Sequence, residues 1–438
     1  MEKVVVIGLG YVGLPSAALI AEAGYTVLGV DINRSLIERL RAGECPLAET
    51  QIRNVVEGSL RSGRLTVDTA ASSADIFIIC VPTPITENKH ADLTMVAGAI
   101  RASAPFVKRG DMVILESTSP IGTTEALIAG KLREIGLDPL EDIDVCYCPE
   151  RVFPGDTVRE IIHNDRVVGG LTPRASERAK RFYESFCKGK AYAVTAAEAE
   201  FSKLMENTYR DVNIALANSF AHVAEEAGVD VAKVIAVANR HPRVNVHRPG
   251  PGVGGHCIPV DPWFVIEGFP NQTKLLHAAR LINDGQPAKL LDRAEDCGLI
   301  RGSKVAVLGA AYRGNIDDAR DTPTELLLEL LHARGYSWSL HDPFVKRLDT
   351  HSGVSANLTS NLAEAAAGAA AVFLMTDHDE YKNLSPSAFG GARPDIIVDG
   401  RRLVDVEAFV EAGATVLPVG APARWPHGQK SGGRVGDR

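Results

Sequence analysis

The sequence predicts an α/β protein with two Rossmann-like, doubly wound parallel sheets that are joined by a central helical domain. Strand-like apolar runs alternate with Ala-rich amphipathic stretches from the N-terminus to Glu150, which is the pattern of a parallel sheet covered by helices on both faces. The segment from Thr195 to Ala227 contains neither proline nor glycine, and Thr195 and Glu198 have the spacing of a capping box, which together predict one long helix. A second strand, glycine and helix pattern begins near residue 301, which indicates a second sheet.

The composition is that of an ordinary globular protein and excludes several classes. The 438 residues are 45% hydrophobic and 23% charged, and the net charge of -8 argues against nucleic acid as the main partner. The seven cysteines form no CxxC pair, so we expect no disulfide framework and no metal site, and a cytoplasmic location fits best. The uncharged run from Val4 to Ala21 is interrupted by three glycines and Pro15. We therefore expect a buried strand and helix there, not a membrane span.

A glycine-rich turn stands between the first predicted strand and helix. Gly8, Gly10 and Gly13 form GxGxxG, and Asp31 ends the next strand. In such a βαβ unit the glycines allow a tight turn, close approach of a diphosphate and close helix packing, and the acid binds the adenosine ribose. The motif predicts an NAD site at the helix N-terminus. Arg34 leaves NADP as an alternative, and a glycine turn without a cofactor is another.

These patterns divide the chain into four segments. We predict an NAD-binding Rossmann-like domain over 1–194, a central helical domain over 195–300, a second Rossmann-like domain over 301–424 and a flexible tail over 425–438. In the second Rossmann-like domain, Gly309 and Asp342 stand where Gly8 and Asp31 stand in the first. GxGxxG is absent from this copy, so we expect it to bind something other than a dinucleotide.

The central domain contains two candidate sites for chemistry. Lys203, Asn207 and Arg210 share one face of the long helix, although a row of polar side chains is more often a solvated face. A Pro- and Gly-rich segment further along places Cys257 and Asp261 in a glycine-dense loop. A cysteine in such a loop is a candidate nucleophile, with burial as a small apolar residue as the alternative.

Together these motifs resemble the UDP-glucose/GDP-mannose dehydrogenase family. The resemblance covers nearly the whole chain, through GLGYVGLP, VPTP, ESTSPIGTTE, CPERV, KLMEN, GGHCIPVDP, GNIDDAR and DGR. The segments CPERVFPG, NRHPRVN and GPGVGGHC resemble the branch that oxidises UDP-N-acetyl-D-mannosamine. The alternatives within the family are UDP-N-acetylglucosamine, UDP-glucose and GDP-mannose. A nucleotide-sugar or NAD-binding sensor without turnover is the alternative from another class.

The resemblance implies a four-electron oxidation of the sugar 6-hydroxymethyl group to a carboxylate, with two NAD per sugar and no metal. It implies that Lys203 and Asn207 promote loss of the hydroxyl proton and stabilise the oxyanion. Cys257 would hold the aldehyde as a thiohemiacetal that is oxidised to a thioester, and Asp261 would orient the hydrolytic water. The expected helpers are Thr118 and Glu150. A cytoplasmic homodimer or larger homo-oligomer that serves surface polysaccharide synthesis is expected.

The resemblance also implies binding residues at matching positions. At the cofactor, besides the three glycines, we expect Tyr11, Val12, Asp31, Thr83, Thr118 and Arg320. At the nucleotide sugar we expect Arg151, Val152, Lys203, Asn207, Arg210, His241, Arg243, Gly254, Arg313 and Arg401. Arginine forks suit a diphosphate. Arg313 stands where family members commonly have lysine, and we expect His256 to be structural.

Overall fold

The computed structural model describes residues 2–47, 49–152, 155–353 and 355–426. Contacts between residues divide the chain into two units. The first unit comprises Met1–Glu206 and Trp263–Gln272, and the second comprises Asn207–Pro262 and Thr273–Arg438. The predicted central domain contributes to both units. Most of the predicted tail, residues 427–438, lies outside the described residues.

The first unit contains an eight-stranded sheet. Its strands are β1 (Lys3–Ile7), β2 (Thr26–Val30), β3 (Leu65–Asp68), β4 (Ile76–Ile79), β5 (Met112–Leu115), β6 (Asp144–Tyr147), β7 (Arg166–Gly170) and β8 (Ala191–Thr195). The order is β3-β2-β1-β4-β5-β6-β7-β8, and its first six positions have the order of a dinucleotide-binding sheet. The predicted doubly wound, Rossmann-like sheet is confirmed, and one of its strand pairs, β6 with β7, is antiparallel. An antiparallel neighbour does not need a crossover that returns the chain to the same edge of the sheet.

Helices cover both faces of this sheet. They are α1 (Gly13–Glu22), α2 (Arg34–Arg41), α3 (Thr50–Arg61), α4 (Thr94–Ser103), α5 (Gly130–Glu134), α6 (Thr157–His163) and α7 (Pro173–Glu184). Alternate residues of β1 pack into two different cores, Val4 and Val6 on one face and Val5 and Ile7 on the other. Burial on both faces explains why these strands are continuously apolar in the sequence.

The predicted long helix is α8 (Ala196–Ala227), with 32 residues and a length of about 48 Å. Thr195 and Glu198 form the capping box that the sequence predicted. The Glu198 amide donates to Thr195 Oγ1, and the Thr195 amide donates to Glu198 Oε2. Within the described ranges, no helix combines the length and the apolar character that a bilayer crossing requires.

The second unit contains a seven-stranded sheet and confirms the second Rossmann-like pattern. Its strands are β9 (Lys304–Leu308), β10 (Ser337–His341), β11 (Arg347–Asp349), β12 (Ser355–Thr359), β13 (Ala371–Leu374), β14 (Ile396–Asp399) and β15 (Thr415–Pro418). The order is β11-β12-β10-β9-β13-β14-β15, and only the edge pair β11 and β12 is antiparallel. The remaining α-helices in the described part of the chain are α9 (Val231–Ala238), α10 (Asp261–Gly268), α11 (Lys274–Asp284), α12 (Gln286–Asp296), α13 (Pro323–Ala333), α14 (Leu362–Ala366) and α15 (Val406–Glu411).

Asp342 shows why the second sheet differs from the first. Its Oδ2 accepts hydrogen bonds from the Ala310 and Ala311 amides and lies 2.9 Å from His378 Nε2. The Phe344 ring stacks on His378 with 5.3 Å between ring centroids. Burial acts to raise the pKa of Asp342, but the hydrogen bonds outweigh it and lower the pKa to about 2. The Asp342 carboxylate is thus engaged by His378. In a dinucleotide-binding sheet, the acid at this position would bind the adenosine ribose.

Candidate active site

The glycine-rich turn joins β1 to α1 and fits a dinucleotide. A Cβ on Gly8, where φ is +94°, would lie 2.7 Å from the Cys80 carbonyl oxygen, and a Cβ on Gly13 would lie 1.9 Å from the Gly8 carbonyl oxygen. A Cβ on Gly10 would meet nothing within 4 Å, so this glycine faces open space. Helix α1 begins without a side-chain cap and without an acid in its first turn. A diphosphate at this end would meet backbone N–H groups and the positive end of the helix dipole.

Asp31 lies at the carboxyl end of β2, beside this turn. Its Oδ2 accepts from the Leu9 amide at 2.8 Å, and its Oδ1 accepts from the Asn33 amide at 2.9 Å. These bonds hold the carboxylate in the position where a Rossmann-like sheet binds an adenosine ribose. The neighbouring Ile32 is 91% exposed, so an apolar surface adjoins the acid.

Tyr11 and Val12 lie in the glycine turn, just before α1 begins. The Tyr11 hydroxyl forms hydrogen bonds with side chains of the protein. The hydroxyl donates to Glu49 Oε2 at 2.6 Å and accepts from Thr157 Oγ1 at 2.9 Å. Burial, followed by the bond to Glu49, raises the pKa of Tyr11 to about 12. The phenol therefore stays neutral and supports the segment that precedes α6.

Thr83 and Thr118 follow β4 and β5, and the structure brings them together. Thr83 Oγ1 donates to the Thr118 carbonyl at 2.6 Å. The loop after Thr118 is attached to α8 by Glu200, whose carboxylate accepts from the Gly122 and Thr124 amides. Glu200 is fully buried and lies three residues before Lys203. The sequence analysis missed this residue, because an acid within an amphipathic helix is not in itself a signal.

Glu150, an expected helper, lies in a buried ion pair. Its Oε2 accepts from Arg166 Nη2 at 2.6 Å, the two side chains are 8% and 4% exposed, and its Oε1 accepts from the Arg151 amide. A second buried acid lies close by, since Glu116 accepts from the Tyr183 hydroxyl and from Cys80 Sγ. Both oxygens of Glu150 are therefore engaged by the protein, and sequence reasoning did not anticipate Arg166 or Glu116.

Arg151 packs on the part of α8 that carries Lys203. Its Nη2 pairs with Glu206 Oε1 at 2.5 Å and donates to Ser202 Oγ at 3.4 Å. Lys203 itself is buried in the first unit. Val152 packs against the core of the same unit, whereas the next two residues of the CPERVFPG segment lie outside the described residues.

The cysteine loop, which we define as residues 250–260, lies in the second unit. A Cβ on Gly254 would lie 2.7 Å from the Asp321 carbonyl oxygen, and Gly255, where φ is +93°, packs within about 3 Å of the Tyr312 ring by the same construction. The Gly255 amide donates to the Arg320 carbonyl at 3.1 Å. Only glycine allows this close approach of two loops. Gly254, which we expected to bind substrate, is therefore required as a glycine by its packing against the loop at Asp321.

Cys257 precedes α10 in a tight turn. Its carbonyl accepts from the Val260 and Asp261 amides, and Cys257 is only partly exposed. Asp261 Oδ2 accepts from Asn207 Nδ2, so two predicted catalytic residues of the second unit are in direct contact. His256, expected to be structural, places its Nδ1 3.1 Å from Cys257 Sγ.

The predicted arginines have different environments. Arg401 is held by a bond from its Nε to the Met375 carbonyl, and it lies 3.4 Å from the position that a Cβ on Gly250 would take. Burial lowers the pKa of Arg401, and Asp377 opposes this. Arg320 forms a two-point ion pair with Asp318.

The remaining predicted substrate residues lie on α8 and on exposed loops. Burial, followed by the charge of Arg210, lowers the pKa of His247, which places Arg210 beside the segment after α9. His241 Nδ1 accepts from the Arg243 amide in that segment. Arg313 is exposed. The predicted site residues thus divide between the units: the glycine turn, Lys203 and Arg151 belong to the first, and Asn207, the cysteine loop and Arg401 to the second.

The glycine turn between β1 and α1, together with Asp31 at the end of β2, defines a dinucleotide-binding protein of the Rossmann type. The chain belongs to the UDP-glucose/GDP-mannose dehydrogenase family. Models of the NAD binding domain, the central domain and the UDP binding domain of that family match residues 2–187, 197–285 and 306–406. The predicted family, the NAD cofactor and the enzyme class are thereby confirmed.

Individual relatives align over almost the whole chain. A UDP-N-acetyl-D-mannosamine dehydrogenase of Methanococcus maripaludis is 40% identical over 96% of this chain and 97% of its own length. An NDP-N-acetyl-D-galactosaminuronic acid dehydrogenase of Ralstonia nicotianae is 40% identical over 86% of this chain and 91% of its own. The solved structure of a UDP-D-ManNAc dehydrogenase from Pyrococcus horikoshii superposes with a TM-score of 0.87 at 38% identity, covering 95% of this chain and 99% of that one.

Proposed function

We propose that this enzyme oxidises the 6-hydroxymethyl group of UDP-N-acetyl-D-mannosamine to a carboxylate. The observation that carries the four-electron reaction is the cysteine loop, where Cys257 lies in the turn that leads to Asp261 and Asn207 holds the Asp261 carboxylate. The similarity to UDP-N-acetyl-D-mannosamine dehydrogenases over 96% of the chain supports this choice of sugar. We also propose that the chain has three domains, over 1–194, 195–300 and 301–424, followed by a tail. We further propose that the enzyme is cytoplasmic and serves surface polysaccharide synthesis.

In the first half of the reaction, Lys203 and Asn207 act on the sugar hydroxyl. NAD, when bound by the glycine turn and Asp31, supplies the hydride acceptor. An ammonium group on α8 favours loss of the hydroxyl proton and stabilises the oxyanion that develops. The amide of Asn207 adds a hydrogen bond, and a long helix buried on part of its surface gives both groups a rigid base.

In the second half, Cys257 prevents the aldehyde from escaping. Its thiolate adds to the aldehyde carbon to form a thiohemiacetal, and removal of a hydride and a proton gives the thioester. Asp261 orients the water that hydrolyses the thioester, and its hydrogen bond from Asn207 fixes the carboxylate for that task. Arg401, half-buried beside Gly250 of the cysteine loop, is proposed to line the nucleotide-sugar site together with Arg151, Arg210, Arg313, His241 and Arg243.

The experiment that tests this function counts NADH per sugar. Incubation of limiting UDP-N-acetyl-D-mannosamine with excess NAD is expected to yield two NADH and one uronic acid per sugar. UDP-N-acetylgalactosamine is the main comparison, because the Ralstonia relative is named for a galactosaminuronic acid. UDP-N-acetylglucosamine and UDP-glucose complete the series. A higher kcat/KM for any of these would replace the proposed substrate, and no NADH with any sugar would indicate a binding protein.

We further propose that α8 mediates self-association. Six large apolar side chains on this helix are exposed, namely Phe201, Met205, Tyr209, Leu216, Phe220 and Val223. Their helical spacing makes a continuous apolar stripe, and such stripes mark interaction surfaces. Phe220→Glu is expected to convert the oligomer to a monomer in light scattering. Val234→Glu, at an equally exposed valine of α9, is the matched control. An oligomer that survives Phe220→Glu would contradict this surface.

A further inference from the structure

We propose that His256 is the base that removes the proton from Cys257 when the thiol becomes the nucleophile. This role rests on the proposed covalent use of Cys257. His256 Nδ1 lies 3.1 Å from Cys257 Sγ, which is within the reach required of a general base.

The loop backbone brings the two side chains together. Consecutive side chains in an extended segment point to opposite sides, so a contact between neighbours needs a turn. The Cys257 carbonyl closes such a turn by accepting from the Val260 and Asp261 amides. On the other side, Gly255 adopts a φ of +93° and is anchored to the Arg320 carbonyl. The backbone is thus held before and after the pair, which keeps the imidazole beside the sulfur.

The charges around His256 suit a proton acceptor. Desolvation, followed by the Arg320 guanidinium, lowers the pKa of His256, while the carboxylates of Asp318 and Asp321 oppose this. The ring is therefore neutral near pH 7 and can accept a proton. Once protonated, it would lie near two carboxylates that favour the imidazolium. Arg320, which is paired with Asp318, also interacts electrostatically with Cys257 and would favour the thiolate.

The proton transfers balance within the pair. The S–H bond of Cys257 breaks and its proton moves to His256 Nδ1, which leaves a thiolate and an imidazolium. The sulfur electron pair forms the C–S bond with the aldehyde carbon, and the carbonyl π electrons move to the oxygen. The imidazolium then returns its proton to that oxygen, so the thiohemiacetal is neutral and the ring is restored. This step needs no oxidant.

The test measures thiol ionisation without any sugar. The full-length protein is alkylated with iodoacetamide between pH 5.5 and 9.5, and modification of the peptide that contains Cys257 is followed by mass spectrometry. In His256→Gln the midpoint of the rate profile is expected to move up toward the ordinary thiol value of about 8.5. At pH 6.5 the alkylation rate is expected to fall about tenfold or more relative to the wild type.

Three further variants separate the possible sources of the effect. His332→Gln, at an exposed histidine of α13, is the matched control and is expected to leave the profile unchanged. Arg320→Gln tests the competing explanation, in which a nearby charge alone stabilises the thiolate. His256→Ser serves as a second probe, and the circular dichroism spectrum of each variant reports folding. If the His256 profiles coincide with the wild type, or if only Arg320→Gln moves the midpoint, His256 is not the base.

A kinetic signature adds a readout that a structural role would not produce. In His256→Gln, kcat for acid formation is expected to be about tenfold low near pH 7 and to recover toward the wild-type value near pH 9, where solvent deprotonates the thiol. A loss that is the same at every pH would contradict the proposal. Because alkylation uses no sugar, a wrong sugar assignment leaves its outcome unchanged, so the two failures are distinguishable.

Discussion

Cys257→Ser is expected to abolish release of the uronic acid, with a loss of about 10³-fold or more in kcat for the four-electron reaction. A serine hydroxyl ionises far less readily than a thiol near neutral pH, so the aldehyde is no longer captured. The first oxidation does not use the sulfur. Single-turnover experiments with excess NAD are therefore expected to give at most one NADH per sugar, and mass spectrometry should find no carboxylate.

Cys297→Ser is the matched control for this experiment. Cys297 is a half-buried free thiol at the end of α12 and has no part in the proposed reaction, so two NADH per sugar are expected. If Cys257→Ser released uronic acid near the wild-type rate, covalent catalysis at this position would be wrong. The NAD-binding turn and the family membership would stand, because neither depends on the sulfur.

Arg166→Met is expected to destabilise the first unit by about 3–5 kcal/mol. The substitution removes the partner of Glu150 in a pair whose side chains are 4% and 8% exposed, and an uncompensated buried carboxylate is costly. Arg166 also donates to Cys187 Sγ and lies over the Tyr183 ring at 4.8 Å. Urea unfolding followed by circular dichroism measures the change.

Arg159→Met is the control for the buried pair. Arg159 forms a comparable short ion pair with Asp156, but its side chain is 67% exposed, and exposed pairs contribute little because water screens them. We expect a change within about 0.5 kcal/mol. The double variant Arg166→Met with Glu150→Leu is expected to recover part of the lost stability, since it leaves no buried charge at this pair. If Arg166→Met and Arg159→Met lowered the free energy of unfolding equally, the buried pair would contribute no more to stability than the exposed pair.

Glu150, an expected helper of hydrolysis, is held in place by two hydrogen bonds. One carboxylate oxygen accepts from Arg166, and the other accepts from the Arg151 amide. The ion pair of Glu150 and Arg166 contacts the backbone of Arg151, a residue that is proposed to bind the sugar nucleotide. Arg166 therefore connects the stability of the first unit with the position of a binding residue.

Glu200 connects α8 with the loop that follows Thr118. Its carboxylate binds the amides that follow Thr118, and it lies on α8 three residues before Lys203. Burial raises the pKa of Glu200, and the hydrogen bonds from Thr124 and Gly122 oppose this. The bonds attach the loop to the helix, so the two predicted functional residues are positioned by one buried side chain.

Features that depend on local backbone conformation were readable from the amino-acid sequence. The glycine turn, Asp31, the capping box at Thr195 and the second strand ending at Asp342 were all identified in this way. Each depends on residues a few positions apart, or on a strand and helix pattern whose geometry is nearly invariant. For that reason the fold class, the cofactor and the family were predictable.

Contacts between distant residues were decided only by the tertiary structure. Glu200 meets Thr124 across 76 positions, and His378 meets Asp342 across 36. Nothing local in the sequence marks such partners, because packing chooses them when the helices and sheet come together. His256 and Cys257 are neighbours in sequence, yet their contact depends on a turn held by the Val260, Asp261 and Arg320 backbone. Chemical groups are specified by sequence, whereas their contacts and pKa values arise from the packing and desolvation that folding brings.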